Sequence, residues 1–197
     1  MQSAKRSKTY AAADVVDADG VKTSFATVNA PVALTVADWN GAAITAAGLL
    51  DLPRTITITR GNNANQYSVA PIVLTGLRGG VEVTESLTPA NDDGNDVLRG
   101  TQAFDFLTSI AIPTQAGTGG TFLIGVQDIC APANGVFSGV ELAAAGNLIV
   151  GYGGNDSAGY QSDTIPVPAV AIGFVKEIAP KRILTQAMSV GLTVYLP

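Results

Sequence analysis

The longest strict alternation in the chain, TQAFDFLTSIAIP from Thr101 to Pro113, constrains the fold more than any other feature. Successive side chains of an extended strand point to opposite faces, so Phe104, Phe106, Ile110 and Ile112 fall on one face. Four inward side chains of that size describe a core strand. RTITITR, Arg54 to Arg60, repeats the pattern, with Ile56 and Ile58 on one face and Thr55, Thr57 and Thr59 on the other, as in a half-buried strand.

Other extended segments surround these two. SVAPIVLTG carries Pro71, which cannot donate to a ladder and belongs at an edge, a bulge or a strand start. TFLIGV aligns Phe122, Ile124 and Val126 after the glycine-rich loop QAGTGG. Beyond Cys130 the pattern weakens without becoming helical, through GVFSGVEL, NLIVGY, PAVAIGFVKEI and a final run in which Met188, Val190, Leu192, Val194 and Leu196 alternate. Strands spaced every 8 to 12 residues or so, punctuated by Gly, Pro and Asn, predict about nine to eleven strands in a sandwich or barrel.

The turns are read from local chemistry. DADG (Asp17 to Gly20) predicts a turn, and Asn40-Gly41 a hairpin, with a short helix across Val36 to Leu50 as its competitor. The stretch from Gly151 to Pro168 predicts a long loop bearing Tyr152 and Tyr160, and long loops in compact β domains tend to make contacts. Residues 1–16 open with Lys5, Arg6 and Lys8 and read as an N-terminal arm, either disordered or docked on a neighbour. Residues 17–197 form the β domain, in which 127–197 either complete a larger barrel or make a second lobe. The fold class is therefore all-β, an antiparallel β-sandwich or barrel of jelly-roll type with an extended arm.

One strand raises a chemical question. In GGVEVTESLTP, Val81, Val83, Glu85 and Leu87 share one face and Glu82, Thr84, Ser86 and Thr88 the other, so Glu85 interrupts an apolar row. Burying an unpaired carboxylate is costly, so either a bulge lets it reach water or a partner lies close, with Arg78, Arg99 or another subunit's arginine as candidates.

Composition narrows the functions open to such a chain. Charged residues make up 14% of it, against about 25% in ordinary soluble domains, which leaves little to cover an exterior and implies burial against other chains. A net charge of −5, with basic residues scattered, argues against nucleic acid as a partner. The basic start lacks the apolar core of a secretory signal, and no apolar run is long enough to span a membrane. Cys130 is the only cysteine, which excludes an intramolecular disulfide and fits synthesis in a reducing cytoplasm.

Catalytic, metal and cofactor chemistry finds few residues to use. With no histidine the commonest general base is missing, as are the usual triads. Glu82 and Glu85, three apart on a strand, face opposite ways unless a bulge intervenes, so they fail as the paired carboxylates of a glycosidase. NDDGND, Asn91 to Asp96, has calcium-like oxygens but lacks the EF-hand pattern, and Asp and Asn crowd turns because they cap amides. AGTGG lacks the Lys-Ser/Thr of a P-loop, and Cys130 beside Ile129 and Pro132 reads as a buried thiol. No catalytic, cofactor-binding or metal-binding residue is therefore assigned.

The order PRTITITRGNN, APIVLTGLRGGVEVTESLTP, TQAFDFLTSIAIP, a Gly-rich loop and TFLIGV resembles a strand pattern common in tailed-bacteriophage virion proteins. It spans Pro53 to Val126 and contains no catalytic residues; residues 127–197 depart from the simplest members. The resemblance implies a virion part of head decoration (cement), neck or collar, or tail type, assembled in the host cytoplasm. Its implied partners are other copies of itself and virion proteins such as the major capsid protein. The alternative from another class is a receptor- or carbohydrate-binding fibre domain using the Tyr152 and Tyr160 loop, with Trp39 in weak support. Lys5, Arg6, Lys8, Glu85, Tyr152 and Tyr160 are the candidate subunit-interface residues.

Overall fold

The computed structural model describes residues 6–10, 16–130, 139–142, 146–152, 161–167, 175–176, 182–184 and 192–196, with side chains over 16–130 apart from Asn62, and at Val194. The strands among them are β1 (Arg6–Tyr10), β2 (Asp17–Ala26), β3 (Val32–Thr35), β4 (Leu49–Asn62), β5 (Ile72–Arg78), β6 (Val81–Leu87) and β7 (Gly94–Ile112). They continue with β8 (Thr121–Cys130), β9 (Gly139–Leu142), β10 (Gly146–Tyr152), β11 (Gln161–Val167), β12 (Val175–Lys176), β13 (Arg182–Leu184) and β14 (Leu192–Leu196). The chain is all-β and antiparallel, with an open, sandwich-like sheet in place of a closed barrel. It divides into two compact units, residues 17–126 and residues 1–16 with 127–197.

In the unit of residues 17–126 the strand order is β8-β4-β7-β5-β6, with β2 beside β8 and β3 beside β7. Ile56, Ile58, Leu74, Leu107, Ile110 and Ile124 are fully buried in its core. Phe122 packs edge-on against Tyr67, ring centroids 5.4 Å apart, and the Tyr67 hydroxyl accepts a hydrogen bond from the Thr121 amide at 2.9 Å. Pro71 stands immediately before β5, at a strand start, where its missing N–H takes nothing from the ladder.

Several local expectations are overturned, each for a physical reason. β4 is buried on both faces, since Thr55 and Thr57 are as enclosed as Ile56 and Ile58, so RTITITR is not half-buried. DADG does not reverse the chain: β2 pairs Asp17 with Val126 and Lys22 with Ile124, so the intervening residues bulge out of a continuing strand. Asn40-Gly41 makes no hairpin. Both its amides donate to the carbonyl of Val21, at 3.2 and 3.0 Å, and a Cβ on Gly41 would lie 2.2 Å from the backbone of Gly20, so glycine here permits backbone-to-backbone contact. Of the competing helix across Val36 to Leu50, only a single 3-10 turn at Val36–Asp38 forms.

In β7, Gly76 of β5 pairs with Leu107 while Thr75 pairs with Ser109, so Thr108 is an extra residue. This bulge shifts the phase: Leu107 joins Ile110 on the core face and is fully buried, whereas Phe106 is only half-buried. Alternation continued straight through Thr108 picks the wrong residue.

The other unit contains a four-stranded sheet ordered β1-β14-β9-β12. Residues 6–10 of the expected arm pair in register with β14 of the same chain, Arg6 opposite Leu196 and Tyr10 opposite Leu192. In the same unit β13 lies between β10 and the end of β8, and β11 pairs with β10. Tyr152 sits opposite Gln161, so half of the expected loop from Gly151 to Pro168 is strand and residues 153–160 connect β10 to β11.

Candidate functional site

The alternation of β6 survives intact, with Glu82, Thr84 and Ser86 exposed and Leu87 buried on the opposite face. Register places Glu85 opposite Leu74, and Leu74 opposite Ile110, so Glu85 belongs to the core face. Its carboxylate nevertheless bonds to residues far along β7. Oε1 accepts from the Thr101 amide at 2.7 Å, the Thr101 hydroxyl at 3.1 Å and the Gln102 amide at 3.1 Å.

Nine residues separate Thr101 from Ile110, about 30 Å of straight strand at 3.3 Å each, far beyond the reach of one glutamate. The sheet must therefore bend over on itself, and the register shows where. β4 pairs Thr55 with Ala103 but Thr57 with Arg99, so Gly100, Thr101 and Gln102 stand against Ile56 alone. This wide bulge turns amides away from the ladder, and Glu85 receives two of them. A Cβ on Gly100 would lie 2.6 Å from Glu85 Oε2 and 2.9 Å from the Ile56 carbonyl, so the carboxylate packs against a position that only glycine leaves open. Of the arginines named for Glu85, Arg78 is engaged by Asp105 at 2.7 Å, and within the described residues the carboxylate is met by two backbone amides and the Thr101 hydroxyl. Glu85 Oε2 is buried and has no hydrogen-bond partner among the described residues.

Around this clamp lies a groove of about 480 Å³, bounded by Glu85 to Thr88 on one side and Asp96 to Thr101 on the other, with Ala90 at its turn. Its outer end is organised by Arg60, which is 1% exposed and grips Asp96 through Nε and Nη2, both at 2.7 Å. Arg60 also donates to the Asn91 carbonyl at 3.0 Å and lies 5.1 Å from the centre of the Tyr67 ring. The Asn91 side chain accepts from the Asp93 amide at 3.2 Å, so the NDDGND loop is held by turn capping and a buried arginine. The glycine-rich loop is clasped in a similar way, the Gly119 amide donating to Gln66 Oε1 at 2.9 Å and the Ser68 amide to Gln115 Oε1 at 3.0 Å.

Glu85 is the one candidate interface residue with a described side chain, and the structure gives it an intramolecular role. Arg6, Lys8 and Tyr152 lie on β1 and β10, whereas Lys5 and Tyr160 fall outside the described residues. Glu82 is exposed on the face opposite Glu85, so no bulge brings the two together. Trp39 is 7% exposed, with its indole N–H 3.3 Å from the Leu107 carbonyl, and so is no surface platform for a sugar. Thr101, Gln102 and the groove itself were not found from sequence. The available signal was Gly100 inside an otherwise regular strand, which marks a bulge or a close approach. No protein-family model, curated protein or solved structure matches the chain.

Proposed function

We propose that this chain is a structural component of a bacteriophage particle, a homo-oligomer that decorates or stabilises the capsid by protein–protein contacts and performs no catalysis. The observation that carries this reading is the edge of the sheet. β6 ends the strand order with β5 as its one strand neighbour among the described residues, and an unpaired edge is a template for pairing with another chain. Val81, at the start of that edge, is 68% exposed.

Charge placement supports the same reading. Arg54, Arg60 and Arg78 are all buried and ion-paired within the chain, so three of the eleven basic residues are withdrawn from a surface already poor in charge. A charge-poor exterior with an open strand edge suits contact with protein. The resemblance between Pro53 and Val126 names the kind of assembly. The mechanism is mass action: a protein that binds the assembled shell and not its free subunits stabilises the shell by RT ln(1 + [L]/Kd) per site.

Gel filtration with light scattering, joined to electron microscopy of the purified chain, tests this reading. Trimers or dimers that bind phage heads support capsid decoration. Rings of six or twelve move the assignment to the neck or tail, and a monomer that neither assembles nor binds heads overturns it.

A further inference from the structure

Three strands of the unit of residues 17–126 have a single strand neighbour among the described residues: β2, β3 and β6. Two of these edges are blunted. β2 bulges along β8, and its Gly20 and Val21 carbonyls are taken by the amides of Asn40, Gly41 and Ala43. β3 has four residues, follows Pro31 and runs into the 3-10 turn. By contrast, the seven residues of β6 pair with β5 without a break and include no proline, lysine or bulge, the devices that keep an edge from pairing.

The turn between β5 and β6 decides which amides of β6 point outward. Gly79 and Gly80 have φ of 60° and 80°, a two-residue type I′ turn that closes on a hydrogen-bonded pair, Arg78 with Val81. Bonded pairs recur at every second residue, so Val83, Glu85 and Leu87 also bond inward to β5. Glu82, Thr84 and Ser86 therefore direct their N–H and C=O groups away from β5, in the plane of the sheet. The Glu85 clamp does not cross this edge, because its side chain leaves on the core face, roughly perpendicular to the sheet.

We propose that β6 pairs antiparallel with β6 of a second copy of this chain, about a two-fold axis at Thr84. The inference rests on the structural-component reading and names the partner of its open edge. Pairing about Thr84 sets Thr84 against its own counterpart and Glu82 against Ser86 of the second copy, so all three outward residues are used. Across the same axis Val81, 68% exposed, faces Leu87, and Val83 faces Glu85. No acid opposes an acid. An axis at Glu82 or Glu85 sets carboxylate against carboxylate, one at Val83 sets Ser86 against Gly80 in the turn, and one at Ser86 runs past the end of β6. A segment that matches itself on reversal is what an isologous contact requires, and a contact with a different chain has no such need.

Single-cysteine cross-linking reads this register, because the native Cys130 is buried. A bonded antiparallel pair holds its Cα atoms about 5.5 Å apart, within disulfide reach. Under mild oxidation Thr84→Cys is expected to give a covalent dimer, while Glu82→Cys and Ser86→Cys cross-link only when the two variants are mixed. Thr84→Lys opposes two ammonium groups across the axis. In light scattering over a dilution series it is expected to raise the dimer dissociation constant about fivefold or more, with the urea midpoint of the monomer unchanged because Thr84 is exposed. A Thr84→Cys chain that assembles without cross-linking, a Glu82→Cys chain that cross-links as readily by itself, or a wild-type trimer overturns the pairing and leaves the structural-component reading standing. A chain that stays monomeric overturns the pairing, and one that also binds no phage heads overturns both.

Discussion

Replacing Glu85 with alanine removes the acceptor that joins β6 to the bulge of β7. Hydrogen bonds to a charged group contribute about 1.5 to 3 kcal/mol, but the three here share Oε1, and the half-buried carboxylate is partly open to water, so they do not sum. Truncation strands the amides of Thr101 and Gln102 in part, while relieving the unpartnered Oε2. The balance is a loss of about 2 kcal/mol. Glu85→Gln keeps an oxygen at the acceptor position, with bonds about half as strong, and replaces the unpartnered oxygen by a donor, so it is expected to cost under about 1 kcal/mol. Trp39, the only tryptophan, is buried in the same unit as Glu85, so its fluorescence follows unfolding of that unit. With a urea slope of about 1.5 kcal/mol/M, the midpoint falls by about 1.3 M in Glu85→Ala and by less than half that in Glu85→Gln. An unchanged midpoint in the alanine variant, or equal losses in the two, refutes the clamp.

Three further substitutions probe the framework around the groove. Gly41→Ala forces a Cβ to 2.2 Å from the Gly20 backbone and is expected to lower stability by about 3 kcal/mol, seen as a falling thermal midpoint or loss of soluble protein. Asp96→Ala leaves the buried Arg60 guanidinium with Asn91 alone among its described acceptors. A cost of about 2 to 3 kcal/mol is expected because Asp96 is 32% exposed, and Arg60→Met combined with Asp96→Leu recovers most of it in urea titrations. Tyr67→Phe deprives the Thr121 amide of its hydroxyl acceptor at 2.9 Å, for a loss of about 1 to 2 kcal/mol by the same titration.

What was legible in the sequence is what depends on a straight strand. The faces of β6, the burial of Ile56 and Ile58 and the placing of Pro71 before β5 all follow from local period and backbone chemistry. The failures occur where strands bulge. Thr108 moves the core position from Phe106 to Leu107, and the bulge at Gly100 to Gln102 folds β7 toward β6, so the two halves of the site lie on segments that no local pattern connects. Backbone amides are common to every residue but proline, so nothing in the sequence distinguished those of Thr101 and Gln102 as the partners of Glu85. Buried Arg60 escaped for a related reason, because Asp96 becomes its partner only once β4 and β7 pair, while Arg54 meets Asp51, three residues back on the same strand, only where β4 departs from regular register.

Amide hydrogen exchange measured on assembled and on dissociated protein tests most directly the proposal that this chain acts by pairing the open edge of β6 with another chain. Assembly is predicted to slow exchange at Val81–Leu87, with the buried β4 amides unchanged. Assembled protein in which that segment exchanges as fast as in the dissociated chain contradicts the proposal.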